Sequence, residues 1–261
     1  MMRVVPALHG WHWLRDGLKL FASAPLTWML LVLSYWLVIA LVGVLPLIGA
    51  FIGVVLMPAF GASFMNIGRT AERGKIATPL LLFSGLRTRQ VDMLLLGGIY
   101  LVACILVLSA TSLFDGGEFA QFLVAGRAPT TRDLNGPLVA ALAYAPVMLA
   151  FWFAPALVMW HDMSAAKALF YSFFAAWQNW RAMLVYGVVT GLAFAIGAWV
   201  LVLLLQSFVP DMLAAAGASG GAPTARGAAG VVVFILLPLV FACVAVLLAS
   251  FYASYRDVFA D

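Results

Sequence analysis

Charge is what this chain has least of. Asp, Glu, Lys and Arg make up 9% of its 261 residues, where a soluble domain carries roughly a quarter, so a sizeable water-facing domain is excluded. Cysteine is nearly absent: Cys104 and Cys243 stand alone, outside any disulfide or metal-site spacing. There is no HExxH, no GxSxG and no pair of carboxylates within an apolar run, so no enzyme activity is expected. Residues 68–75 (Gly-Arg-Thr-Ala-Glu-Arg-Gly-Lys) look superficially like a phosphate loop, but the glycine spacing is wrong and no strand precedes them. No apolar run carries an ionisable residue at its middle, which argues against a proton-coupled carrier or a charge-ringed channel.

What the chain has instead is hydrocarbon. It is 66% hydrophobic with mean hydropathy +1.10. Six nearly uncharged runs occupy residues 26–45, 47–67, 93–114, 137–160, 182–206 and 230–254. Runs of about twenty apolar residues match the hydrocarbon thickness of a bilayer, where only a helix satisfies its own backbone. The expectation is an all-α polytopic membrane protein, residues 1–261 forming one integral membrane domain with six transmembrane helices. Arg3, His9, His12, Arg15, Asp16 and Lys19 precede the first run with no small-residue cleavage site, so no cleaved signal peptide is expected.

The few charges predict orientation. Of the 14 Lys and Arg residues, eleven fall on one side: Arg3, Arg15, Lys19, Arg69, Arg73, Lys75, Arg87, Arg89, Lys167, Arg181 and Arg256. Arg127, Arg132 and Arg226 fall on the other. Positive charge stays inside, which predicts that both termini are cytoplasmic. The pI of 9.3 does not imply nucleic acid, because the basic residues sit at membrane borders and are not pooled in an arm.

Three helical hairpins repeat along the chain. Each odd run follows a cytoplasmic amphipathic segment, at 10–23, 79–90 and 164–180. In the first, Trp11, Leu14, Leu18 and Phe21 oppose Arg15, Asp16 and Lys19, as suits a helix lying in the interface. In the third, Phe170, Phe173, Phe174 and Trp177 dominate. Each even run holds proline: Pro58, then Pro146 and Pro155, then Pro238. Proline removes a helical donor and clashes with the preceding turn, making Pro58, Pro155 and Pro238 candidate hinges. The outer connection at 115–136 includes a short amphipathic piece at 119–124. That at 207–229, rich in Gly and Ala with Pro210 and Pro223, is predicted to be a flexible loop.

Candidate site residues are few. Arg69, Arg73 and Lys75 could hold an anionic lipid headgroup. His9 and His12, three apart on one helical face, could join His161 in a metal or haem site with Asp162 behind it. Histidine beside Trp11, Trp13 and Trp160 is also ordinary interfacial chemistry, so neither cofactor nor metal is expected. Gly49/Gly53, Gly187/Gly191, Ala193/Gly197 and Ala245/Ala249/Ala253 are small-residue pairs that let helices approach closely. Tyr35, Tyr100, Tyr144 and Thr190 are the sparse polar groups available within the runs.

The stretch Trp13-Leu14-Arg15-Asp16-Gly17, then Pro25, Pro46 and Pro58, and Gly68 through Gly74 resembles a family of uncharacterised six-span inner-membrane proteins of proteobacteria. Residues 151–157 (Phe-Trp-Phe-Ala-Pro-Ala-Leu), His161, residues 168–172 (Ala-Leu-Phe-Tyr-Ser) and Asn179-Trp180-Arg181 extend that likeness over nearly the whole chain. The Ala168/Ser172/Asn179 pattern is similar to the membrane domain of some glycerophosphodiester phosphodiesterases. Their soluble catalytic domain has no counterpart here, so no such activity follows. The resemblance implies fold and location. The function expected is that of a non-enzymatic membrane protein acting through lipid or protein contacts, in an accessory or assembly role. Its partners would be membrane lipids, another membrane protein or a second copy. The alternative is a transporter or flippase for an apolar or amphipathic compound.

Overall fold

A proline costs nothing in a helix's first turn, where its missing N–H has no partner to lose. The short helix α1 (His9–Ser23) therefore gives way at Ala24 to α2 (Pro25–Gly43), with Pro25 as its first residue. The computed structural model describes residues 2–46, 48–127, 135–218 and 225–259, the side chains of 201, 204, 205 and 207–236 lying outside that description. Beyond α2 come α3 (Ile48–Glu72), a 3-10 turn (Pro79–Phe83), α4 (Ser84–Arg87), α5 (Gln90–Asp115) and α6 (Glu118–Ala125). The chain continues through α7 (Asn135–Trp152), α8 (Ala154–Trp160), α9 (Ala165–Gln178), α10 (Trp180–Ala218) and α11 (Ala225–Phe259). Six segments are long and apolar enough to cross a bilayer: Pro25–Gly43, Ile48–Glu72, Gln90–Asp115, Asn135–Trp160, Trp180–Val200 and Leu237–Phe259. The chain is an all-α polytopic membrane protein, with no strand among the described residues.

One expectation fails at the outer end. Residues 207–218 and 225–229 are helical and not loop: α10 continues to Ala218 and α11 begins at Ala225, with 219–224 outside the described residues. The stretch from Met212 to Ala216 is rich in strong helix formers, and that propensity outweighs the Gly and Pro content that suggested a turn. Pro210 lies inside α10. Arg132 and Pro223 lie outside the described residues, as does the side chain of Arg226.

The amphipathic segments are helical where expected, but what they bury is different. In α1 the buried face is Gly10, Trp13, Gly17 and Leu20, while Trp11 is 50% exposed. In α9 it is Ala165, Ala168, Ser172, Ala175 and Ala176, while Phe170 and Trp177 point outward. In α9 small residues face the bundle and large apolar ones face outward, while in α1 two glycines share the buried face with Trp13 and Leu20. With lipid outside there is no penalty for exposing a Leu or Phe, and close backbone approach decides what goes in.

Each such helix crosses an even span at a small residue. The 3-10 turn and α4 pack on α3, α9 packs on α7 and α8, and α1 packs on α11. A buried serine sits at each crossing. Ser63 Oγ donates to Ala59 O (2.9 Å) and accepts the Gly85 N–H (2.9 Å). Ser172 Oγ accepts the Phe153 N–H (2.9 Å) and donates to Leu149 O (3.1 Å). Ser250, against which Gly17 of α1 packs, bonds not α1 but Tyr186 Oη of α10 (2.7 Å) and donates to Leu247 O of its own helix (2.6 Å). Ser172 stands where the fourth span breaks between α7 and α8, just before Pro155. A side chain inserted into the helical ladder is one of the recognised ways to make a kink, and here it bridges the interrupted groups. Neither cysteine is the fully buried hydrophobe its place in an apolar run suggests: Cys104 is half-buried and Cys243 exposed, the small buried face of α11 being Ala245, Ala249 and Ala253.

Candidate functional site

Two places concentrate what little polarity the chain has. The first is a cavity of about 200 Å³ among α3, α5, α7, α8 and α11. Met57, Pro58, Gly61 and Met65 form its α3 wall, and Met148, Phe151 and Trp152 its α7 wall. Pro155 and Phe251 close it, and Tyr100 and Tyr144 supply its hydroxyls. The two phenol oxygens are 2.6 Å apart, and the Phe151 ring meets Tyr100 edge-on at 5.0 Å. The Trp152 Nε1–H donates to Ser254 Oγ at 3.1 Å. Met57 and Met148 are each about half-exposed, so the cavity opens sideways on the apolar flank. A Cβ built on Gly61 would meet nothing within 4 Å.

The second place is the end of the bundle that carries α1 and the C-terminus of α11. Arg256 on α11 joins two carboxylates from other helices: Asp16 on α1 at 2.8 Å and Glu72 on α3, which also accepts the Tyr252 hydroxyl. Burial pushes the Asp16 carboxyl up, but hydrogen bonds and charge from Lys19 and Arg256 outweigh it and hold it below the usual carboxylate range. One residue on, Asp257 accepts both the Trp13 indole N–H and the His9 Nδ1–H at 2.7 Å. Asn179 fastens the N-terminal segment, accepting the Val5 N–H (2.8 Å) and donating to Arg3 O (3.0 Å).

The expected site residues distribute as follows. Pro58 and Pro155 share the cavity wall, but Pro238 is exposed elsewhere on α11. Tyr100 and Tyr144 come together there. Tyr35 instead packs between Phe60 and Phe64, and Thr190 lies away from the cavity. The Arg69 guanidinium stacks over Trp160 at 5.0 Å. Arg73 and Lys75 are exposed and make no ion pair among the described residues. Glu72 does not pair with Arg69 or Arg73, because Arg256 and Tyr252 take both its oxygens. Helix α3 does end at Gly74, at φ +68°, with Gly74 N–H to Ala71 O and Lys75 N–H to Thr70 O, the paired bonds of a glycine C-terminal cap.

His9 and His12 lie together, their ring centroids 5.1 Å apart, but His161 does not join them. His9 faces Asp257, while His161 Nε2 meets Tyr255 Oη at 2.7 Å, and two successive odd residues on α11 point to nearly opposite sides of the helix. Asp162, at φ +51°, turns to Arg89 (3.6 Å) and not to His161. Among the described residues no group of three His, Cys, Asp or Glu is placed to hold a metal. The small-residue pairs divide. Ala245, Ala249 and Ala253 are buried, and a Cβ on Gly49 would lie 2.2 Å from Val42 O. Gly53, Gly187, Gly191 and Gly197 face open space.

Over 98% of its length the chain is 34% identical to a probable inner membrane protein of Burkholderia thailandensis, covering 92% of that protein. The chain belongs to that inner-membrane protein family. No family model matches it, and no solved structure does. Several residues that carry the family likeness have structural work: Gly17 and Ser172 at helix crossings, Asn179 at the N-terminal segment, Gly74 at a cap.

Proposed function

We propose that this inner-membrane protein acts through lipid contact, taking the apolar part of a membrane-dissolved amphiphile sideways into the α3–α5–α7 cavity. The cavity carries this reading: it is apolar, opens on the flank, and holds one polar pair at its wall. Small-molecule sites have that composition. Arg73 and Lys75, left unpaired, supply positive charge for anionic headgroups at the border. Protein purified in mild detergent should retain a hydrophobic compound detectable by native mass spectrometry. Gly61→Leu, whose Cβ would meet nothing within 4 Å and whose longer side chain would occupy the void, should lose it while eluting as before. If the wild-type protein emerges free of any bound lipid or hydrophobe, the reading falls.

Transport or flipping of the same compound is a second reading, supported by Pro58 and Pro155 lying in the cavity wall. Movement of the compound between leaflets of reconstituted vesicles separates that from binding alone. In an accessory role, the open glycine face of α10 is where another membrane protein or a second copy would sit.

The orientation is proposed on the eleven-to-three distribution of basic residues. Reporter fusions after residue 261 and before residue 1 should both be active as cytoplasmic reporters. A periplasmic C-terminus would reverse the assignment.

A further inference from the structure

We propose that the cavity recognises an uncharged carbonyl compound, its single ring or short apolar body seated among the methionines and its oxygen accepting a hydrogen bond from the Tyr100–Tyr144 pair. This rests on the lateral-uptake reading above and adds the chemistry of the ligand.

Two phenols carry two protons, and the 2.6 Å contact between them uses one. The second has few places to go. A phenol is too long to donate back to its own helix as Ser and Thr do, and Cys104, one turn along α5 from Tyr100, offers only a weak sulfur acceptor. The indole of Trp152 is already committed to Ser254. The Tyr100 hydroxyl does touch the Cys104 thiol, so among the described residues the second proton of the pair has nothing stronger than sulfur to bind, in a wall that is otherwise hydrocarbon and thioether.

The ligand's charge follows from what the wall lacks. Its lining contains no Lys, Arg, His, Asp or Glu, so nothing there would neutralise a carboxylate, phosphate or amine. Depth narrows the class further. Tyr100 lies about ten residues into the 26-residue helix α5; at 1.5 Å per residue that helix overhangs a hydrocarbon core about 30 Å thick by about 4–5 Å at each end, which leaves Tyr100 about 10 Å inside the core. A phospholipid's polar groups stay outside that core, and its acyl chains bring no acceptor to this depth. A molecule that partitions wholly into the core while carrying a carbonyl does. Size sets the last limit. A void of about 200 Å³ is little larger than the roughly 150 Å³ apolar cavity known to hold benzene. Met57, Met65 and Met148 provide adaptable, polarisable contacts to a ring edge.

The test compares two isosteres on the full-length protein in mild detergent. Tritiated 4-octylacetophenone is bound to immobilised protein and read by scintillation proximity. Unlabelled 4-octylacetophenone and 1-ethyl-4-octylbenzene, which replaces the carbonyl by CH₂, serve as competitors. The expected result is saturable binding, with the hydrocarbon weaker as a competitor by roughly threefold to tenfold, the worth of one neutral hydrogen bond. The double variant Tyr100→Phe/Tyr144→Phe should bring the ketone down to the hydrocarbon's level, and Gly61→Leu should abolish the site for both. Equal competition by the two compounds in the wild-type protein overturns this inference and leaves lateral uptake standing. Absence of any saturable site, or one indifferent to Gly61→Leu, removes both. The wild-type comparison decides the matter by itself if the double variant does not fold.

Discussion

Gly97→Leu should leave a protein that inserts but does not assemble, seen as loss of the monodisperse peak in size-exclusion chromatography from mild detergent. A Cβ on Gly97 would lie 1.9 Å from the carbonyl oxygen of Val55 and 2.7 Å from its carbon. Those atoms belong to the α3 backbone, so no rotamer change can clear them, and α3 and α5 would have to part by about 1 Å or more. Overpacking of an ordinary core costs about 1–3 kcal/mol, and here the two helices would also lose the contacts that seat them together. Gly97→Ala should already lower the heat-denaturation midpoint clearly. The neighbouring Gly98, whose Cβ would meet nothing within 4 Å, is the control. Gly98→Ala should be neutral or slightly stabilising, since alanine is the better helix former. Equal effects at the two positions would refute the proposed α3–α5 crossing.

Asp257→Ala should cost about 1–3 kcal/mol, the penalty for a buried donor left without its acceptor. The donor is the indole of Trp13, 1% exposed and bonded to Asp257 Oδ2 at 2.7 Å, with His9 on the same oxygen. A carboxylate in the last turn of a helix opposes the helix dipole, so its place at the end of α11 depends on these partners from α1. Asp257→Asn keeps an oxygen for the indole and should cost clearly less than alanine. The comparison is read from denaturation midpoints in one detergent. If the two variants behave alike, Asp257 is not what holds α1 down.

Much of the fold was legible because hydrocarbon thickness imposes its length on the chain. The six runs coincide with the six spanning helices to within a few residues, apart from the outer ends of α10 and α11. The amphipathic helices were legible as elements but not in their packing. Trp11 and Leu18 drew attention as an apolar face, yet the face that docks is Gly10, Trp13, Gly17 and Leu20. Trp13 and Leu20 are as apolar as Trp11 and Leu18, so hydrophobicity did not separate the two faces, and the seven-residue spacing of Gly10 and Gly17 was the signal available. The cavity was half legible. Tyr100, Tyr144, Pro58 and Pro155 could each be singled out, but only the packing of α3, α5 and α7 shows that these four meet. The Asp16–Arg256–Glu72 bridge spans 240 residues of chain, and nothing local in the sequence pairs those ends. The three histidines were misleading because residue type was visible and direction was not.

The docking of α1 on α11 has a consequence for how the protein is made. Helix α1 rests on α10 and, more extensively, on α11, both synthesised long after it, so its seat is complete only once α11 has been inserted. In the interval its Trp13 face must be sheltered by the bilayer surface or by the insertion machinery. Translation stalled before α11 would leave α1 with only its α10 contacts and Trp13 without the Asp257 carboxylate, marking the truncated product for quality-control proteolysis.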